Sequence, residues 1–85
     1  MIAAQDRKDM KVRLARIEGQ LRGLQKMMDV EDADCIKVAQ QMLAVRKALD
    51  KAGHTMLACM VKGKMAGDLP GGDDMEIETL IGKYA

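Results

Sequence analysis

Two cysteines, Cys35 and Cys59, stand out as residues able to do chemistry in this chain. Thiolates are nucleophiles and soft-metal ligands, so a pair of them points either to redox chemistry or to a soft cation. Both fall in a stretch from Asp34 to about Met65 that reads as one helix. Along such a helix the thiols would stand ~36 Å apart, so they cannot meet within one chain. Cys35 would lie in the first turn, after an Asp32 or Asp34 cap. There, free backbone N–H groups and the helix dipole favour thiolate. Met56 and Met60 flank Cys59, and their thioethers would suit Cu(I) or another soft metal. The bland alternative is two buried thiols acting as small hydrophobes. His54 falls on a different side of the helix, where a lone histidine is ordinarily a packing or surface residue. No Ser/His/Asp set, phosphate-binding glycine loop or metalloprotease box occurs, and no enzymatic activity is expected.

The helix that carries the thiols has an apolar seam: Cys35, Val38, Met42, Val45, Leu49, Ala52, Met56 and Cys59. Steps of three and four make a coiled-coil seam rather than a broad stripe. Its members pair symmetrically about Lys47, as Cys35/Cys59, Val38/Met56, Met42/Ala52 and Val45/Leu49. Two copies running antiparallel across that point would set apolar residues against each other. Cys35 of one copy would then face Cys59 of the other. A second apolar row, Ala39, Leu43, Leu57 and Val61, implies that more than one face of this helix is covered.

A single small domain is all that 85 residues allow, and a core of that size is marginal without a staple or a partner. Tyr84 is the lone aromatic residue, so nine methionines and the aliphatic residues must fill the interior. At 48% hydrophobic and 32% charged the chain is neither disordered nor membrane-spanning, and no apolar run approaches a span of ~18 residues. The start lacks the basic-then-apolar order of a signal peptide, and the cysteines make a poor disulfide framework; cytoplasmic thiols are expected.

The net charge of +1 conceals an asymmetry. Residues 7–26 hold seven Lys or Arg against Asp9 and Glu18, whereas residues 68–85 hold five acids against Lys83. The basic segment reads as a helix over about 7–28, capped by Asp6 or Asp9, with Met10, Leu14, Ile17, Leu21, Leu24 and Met28 as its seam. A lysine- and arginine-rich helix is often just a solvated face. Repeated by a symmetric assembly, it becomes a surface for duplex phosphates, whereas single strands would call for aromatic platforms. Gly19 and Gly23, four apart, suggest a close helix contact. Leu69-Pro70-Gly71-Gly72 reads as a turn, followed by a short third helix over about 74–83 with Ile77, Leu80, Ile81 and Tyr84 on one side. The expected fold is all-α: three helices, with the second over about 34–65.

Three blocks carry a family resemblance. They are Arg13-Leu-Ala-Arg-Ile-Glu-Gly-Gln-Leu-Arg-Gly-Leu, then Asp34-Cys35, then Gln40-Gln-Met-Leu-Ala-Val-Arg-Lys-Ala-Leu-Asp-Lys. Together they resemble the copper-sensitive operon repressors and their nickel/cobalt-, formaldehyde- and persulfide-sensing relatives. The resemblance spans roughly residues 7–64. It implies an all-helical antiparallel dimer, usually a dimer of dimers, that binds duplex operator DNA until an effector occupies a site between subunits. Arg13, Arg16, Arg22 and Arg46 would then contact DNA. Cys35 matches the family's first ligand, but Met60 and Lys64 stand where copper sensors place His and Cys. The copper set is therefore not intact. Sulfane sulfur or thiol oxidation at Cys35/Cys59 is the expected signal. The alternative is Cu(I) or another soft metal on Cys35, Cys59, Met60 and Met56. A rival of another class is a helical metal or sulfur carrier, or an adaptor, with no DNA affinity.

Overall fold

The computed structural model describes residues 2–65 and 74–84, which form three helices and no strand. α1 runs Ala4–Met28, α2 Cys35–Met65 and α3 Asp74–Tyr84. α1 starts a turn before the expected Asp6 or Asp9 cap. Its N-cap is Ala3, which offers no side-chain bond, and the ladder opens with Arg7 N–H donating to the Ala3 carbonyl at 3.0 Å. Asp6 instead lies in the first turn, where the dipole favours a carboxylate.

The acidic connector does what its composition suggests. Asp29 N–H returns to the Lys26 carbonyl at 3.1 Å and Val30 N–H to Met27 at 3.4 Å, which closes α1. Asp34 then caps α2: its Oδ1 accepts from the Ile36 N–H at 2.9 Å and the Lys37 N–H at 3.5 Å. This is the cap that places Cys35 at the first position of the helix.

α1 and α2 pack as a hairpin on a core of Ile17, Leu24, Val38, Val45 and Ala52, with Met10, Met27, Ala33 and Ala48 at its margin. Here the expected seam of α2 divides. Val38, Val45 and Ala52 are buried against the chain's own α1, while Met42 and Leu49 are about half exposed and Cys35 is exposed. The physical reason is that α1 needs an apolar stripe on α2 for itself, and it takes the seven-residue repeat nearest to it. What is left uncovered is a second apolar face, Ile36, Met42, Leu43 and Leu49. On α1, Leu14, Leu21 and Met28 are likewise exposed.

The molecule measures 53 × 26 × 15 Å with a radius of gyration of 16.7 Å. A compact chain of this length would have a radius near 12 Å. No side chain among the described residues is completely buried, and the most enclosed core residue, Ala52, retains 4% exposure. Gly19 and Gly23 face open space within the chain, so the expected close contact is not made by α1 and α2.

Among the described residues, α3 packs on α2 and not on α1. Ile77 is buried, and Tyr84 reaches Gly53, where an added Cβ would run into the ring's Cε1 and lie 2.7 Å from Cζ. His54 sits beside it, its Nε2 3.1 Å from the Tyr84 carbonyl oxygen and its ring edge-on to Tyr84 at 5.8 Å. The expected Leu69–Gly72 turn lies outside the described residues.

Candidate functional site

The two thiols have opposite surroundings. Cys35 is exposed in the first turn of α2, at the edge of the uncovered apolar face. Cys59 is half-buried near the far end of the same helix and faces back towards α1. Its Sγ donates to Asp6 Oδ2 at 3.5 Å, a contact between residues 53 apart in sequence. Burial, and then the hydrogen bond and the charge of Asp6, push the Cys59 thiol above its usual range; Lys62 opposes them. Within one chain, then, the structure does not bring Cys35 and Cys59 together.

Cys59 opens into a cavity of about 150 Å³ between the start of α1 and the end of α2, lined among others by Asp6, Met10, Arg13, Met56 and Lys62. Met56 therefore shares the surroundings of Cys59, while Met60 does not line this cavity. Asp6 and Asp9 line the same cavity as Cys59, yet among the described residues no group of three or more His, Cys, Asp or Glu side chains is arranged to hold a metal ion. A harder, imidazole- or carboxylate-rich metal site within one chain is thus not on offer among them.

The four arginines expected at DNA are spread over different environments. Arg16 and Arg46 are exposed. Arg22 is exposed too, with its Nη2 2.6 Å from Glu18 Oε1. A surface pair of this kind is worth ~1 kcal/mol at most and yields readily to a phosphate. Arg13 differs: it is half-buried and lines the Cys59 cavity beside Asp6 and Asp9. Arg7, Lys8 and Lys11, near the start of α1, are exposed and border a shallow depression with Ala4, Val12 and Ala15.

Sequence reasoning did not single out Asp6 or Met10 as neighbours of Cys59. No local spacing encodes a contact across the open end of a hairpin. The only signal was an acid at the start of an otherwise basic helix.

No curated protein and no solved structure matches the chain. A family model does, that of the metal-sensitive transcriptional repressors, over residues 6–83. That match takes in the basic helix, the capped thiol, the cavity at Cys59 and the C-terminal helix, and the chain belongs to the metal-sensitive transcriptional repressor family.

Proposed function

We propose that this protein represses transcription by binding duplex operator DNA as an assembly of copies, and that its signal is read at Cys35. The observation that carries the proposal is the position of that thiol: exposed, first in a capped helix, and bordering the apolar face that the chain leaves uncovered. An effector there acts where a second copy would pack. The basic surface of α1, repeated by assembly, supplies the phosphate contacts, with Arg16, Arg22 and Arg46 better placed than Arg13.

Thiol chemistry is the first reading of the signal. The Cys35 thiolate attacks a sulfur of a polysulfide, a shorter polysulfide leaves as thiolate, and Cys35 holds a persulfide. The thiolate of Cys59 in a second copy then attacks the Cys35 sulfur, giving a disulfide and releasing hydrosulfide. Cys59 must give up its proton and its bond to Asp6 first, so the cross-link is the slower step. Membership of a metal-sensitive family favours a second reading, in which a soft ion such as Cu(I) binds Cys35 together with sulfur donors of a second copy, among Cys59, Met60 and Met56.

Fluorescence anisotropy of the labelled promoter, across a range of salt, tests both levels. Tight binding that falls steeply with salt, and that Arg16→Ala weakens, is expected; a carrier or adaptor would show neither. Polysulfide should release the DNA from wild type and not from Cys35→Ser. Release by Cu(I) alone, with polysulfide inert, would replace the thiol reading by the metal one. No salt-dependent affinity for the promoter at all would overturn the repressor reading.

A further inference from the structure

The fold sets the acidic α3 at the same end of the molecule as the basic start of α1. Its seat on α2 fixes the direction in which α3 runs. Leu57 of the second apolar row is half-buried, with Gly53 and Met60 beside it, whereas Ala39 and Leu43 of that row are exposed. Tyr84 lies on Gly53, and the buried Ile77 precedes Tyr84 by the same interval that separates Gly53 from Met60. α3 is therefore antiparallel to α2. Glu78 lies ~9 Å back from Tyr84 along α3, and Cys59 lies ~9 Å beyond Gly53 along α2. Glu78 is thus level with Cys59, whose thiol meets Asp6 at the start of α1. Arg7, Lys8 and Lys11 follow Asp6 within ~8 Å along that helix, all exposed.

Glu76 and Glu78 are exposed on α3, and α3 does not pack on α1. Both helices pack on α2, so two interaxial spacings of 8–10 Å hold their axes within ~20 Å of each other. That separation is inside the ~30 Å reach of charges in dilute salt and outside their ~8 Å reach at physiological strength. We propose that Glu76 and Glu78 temper DNA binding: held beside the start of α1, they repel the phosphates of a duplex seated there and weaken its binding whatever its sequence. Such repulsion presupposes the repressor reading and adds to it a determinant of strength, not of sequence preference. Two carboxylates suffice because duplex DNA carries one charge per ~1.7 Å of axis, so several phosphates feel them at once. The effect bears hardest on sequence-independent contacts, which are electrostatic throughout.

The test measures the anisotropy of the labelled promoter, and of an unrelated duplex, with the full chain at several salt concentrations. In about 10 mM salt, Glu76→Gln/Glu78→Gln should bind both duplexes at least about threefold more tightly than wild type, with helicity unchanged. The gain should shrink steadily as salt approaches about 0.15 M. Glu76→Asp/Glu78→Asp, which keeps both charges, should bind as wild type does. A double-mutant cycle locates the effect. With Lys8→Gln/Lys11→Gln the start of α1 holds the phosphates less closely, so the same glutamines should gain less. Equal affinity of wild type and the glutamine variant in dilute salt would overturn the proposal, as would a gain indifferent to salt. A gain shared by the aspartate variant would mark a structural effect, and an undiminished gain beside Lys8→Gln/Lys11→Gln an effect of net charge alone; either would overturn it too. Wild type that shows no salt-dependent binding would overturn the repressor reading and this inference together, whereas failure of this inference alone leaves wild-type binding intact.

Discussion

Val45 and Leu49 lie one turn apart on α2, yet Val45 is 9% exposed and Leu49 52%. Truncating each to alanine should therefore distinguish a chain that works alone from one covered by a second copy. Val45→Ala removes two well-buried carbons, ~1.6 kcal/mol by transfer, raised by a cavity term and reduced by alanine's better helix propensity. The net cost should be about 1.5–2 kcal/mol in either case. Leu49→Ala removes three carbons that the lone chain only half covers, or about 1 kcal/mol. If a second copy buries Leu49, the cost rises to about 2–5 kcal/mol per chain, and the unfolding midpoint depends on protein concentration. Urea denaturation followed by circular dichroism, at concentrations about a hundredfold apart, measures both. Assembly through the uncovered face requires Leu49→Ala to cost more than Val45→Ala and to make the protein easier to unfold on dilution. A penalty near 1 kcal/mol, with a wild-type midpoint indifferent to concentration, would refute it.

Other perturbations follow from single contacts. Asp34→Ala removes the cap of α2 and should lower stability by about 1 kcal/mol in the same urea assay, with Asp34→Asn restoring most of it. Gly53→Ala gains about 1 kcal/mol of helix propensity but pushes the Tyr84 ring off α2, so tyrosine fluorescence should become solvent-like even if the hairpin is no less stable. Iodoacetamide should alkylate Cys35 well before Cys59, and Asp6→Asn should speed the reaction at Cys59 alone. Because folding raises the Cys59 thiol above its unfolded value, its contribution is fully present below the unfolded thiol range and is lost as pH rises through the folded value. Stability should thus fall less steeply on the alkaline side in Cys59→Ala than in wild type.

The helices were legible because their signals are local. Asp34 ahead of an apolar period marks the start of α2, and the hydrophobic steps of both long helices run their full length. Periodicity says that a seam exists but not which neighbour occupies it. Val38, Val45 and Ala52 are apolar, as are Met42 and Leu49, yet the first set is buried against α1 and the second is about half exposed. The same limit applies to the site. Cys35 could be read from its cap, a matter of adjacent residues. The surroundings of Cys59 depend on Asp6 and Met10, which reach it only once the hairpin closes. Likewise His54 and Gly53 became informative only when Tyr84 was seen against them.

The bond between Cys59 and Asp6 closes a hairpin that is covalently joined at its other end by residues 29–34. Mechanically, this makes α1 a lever arm with its pivot at the connector and its catch at the tip. The 25-residue arm is ~37 Å long. A rotation of about 5° about the pivot carries the tip ~3 Å, comparable to half a helical turn. Arg7, Lys8 and Lys11 ride on that tip. Chemistry that releases the catch at Cys59 would therefore act at full mechanical advantage on the basic start of α1, while Leu24 and Val38, the core residues nearest the pivot, would move least.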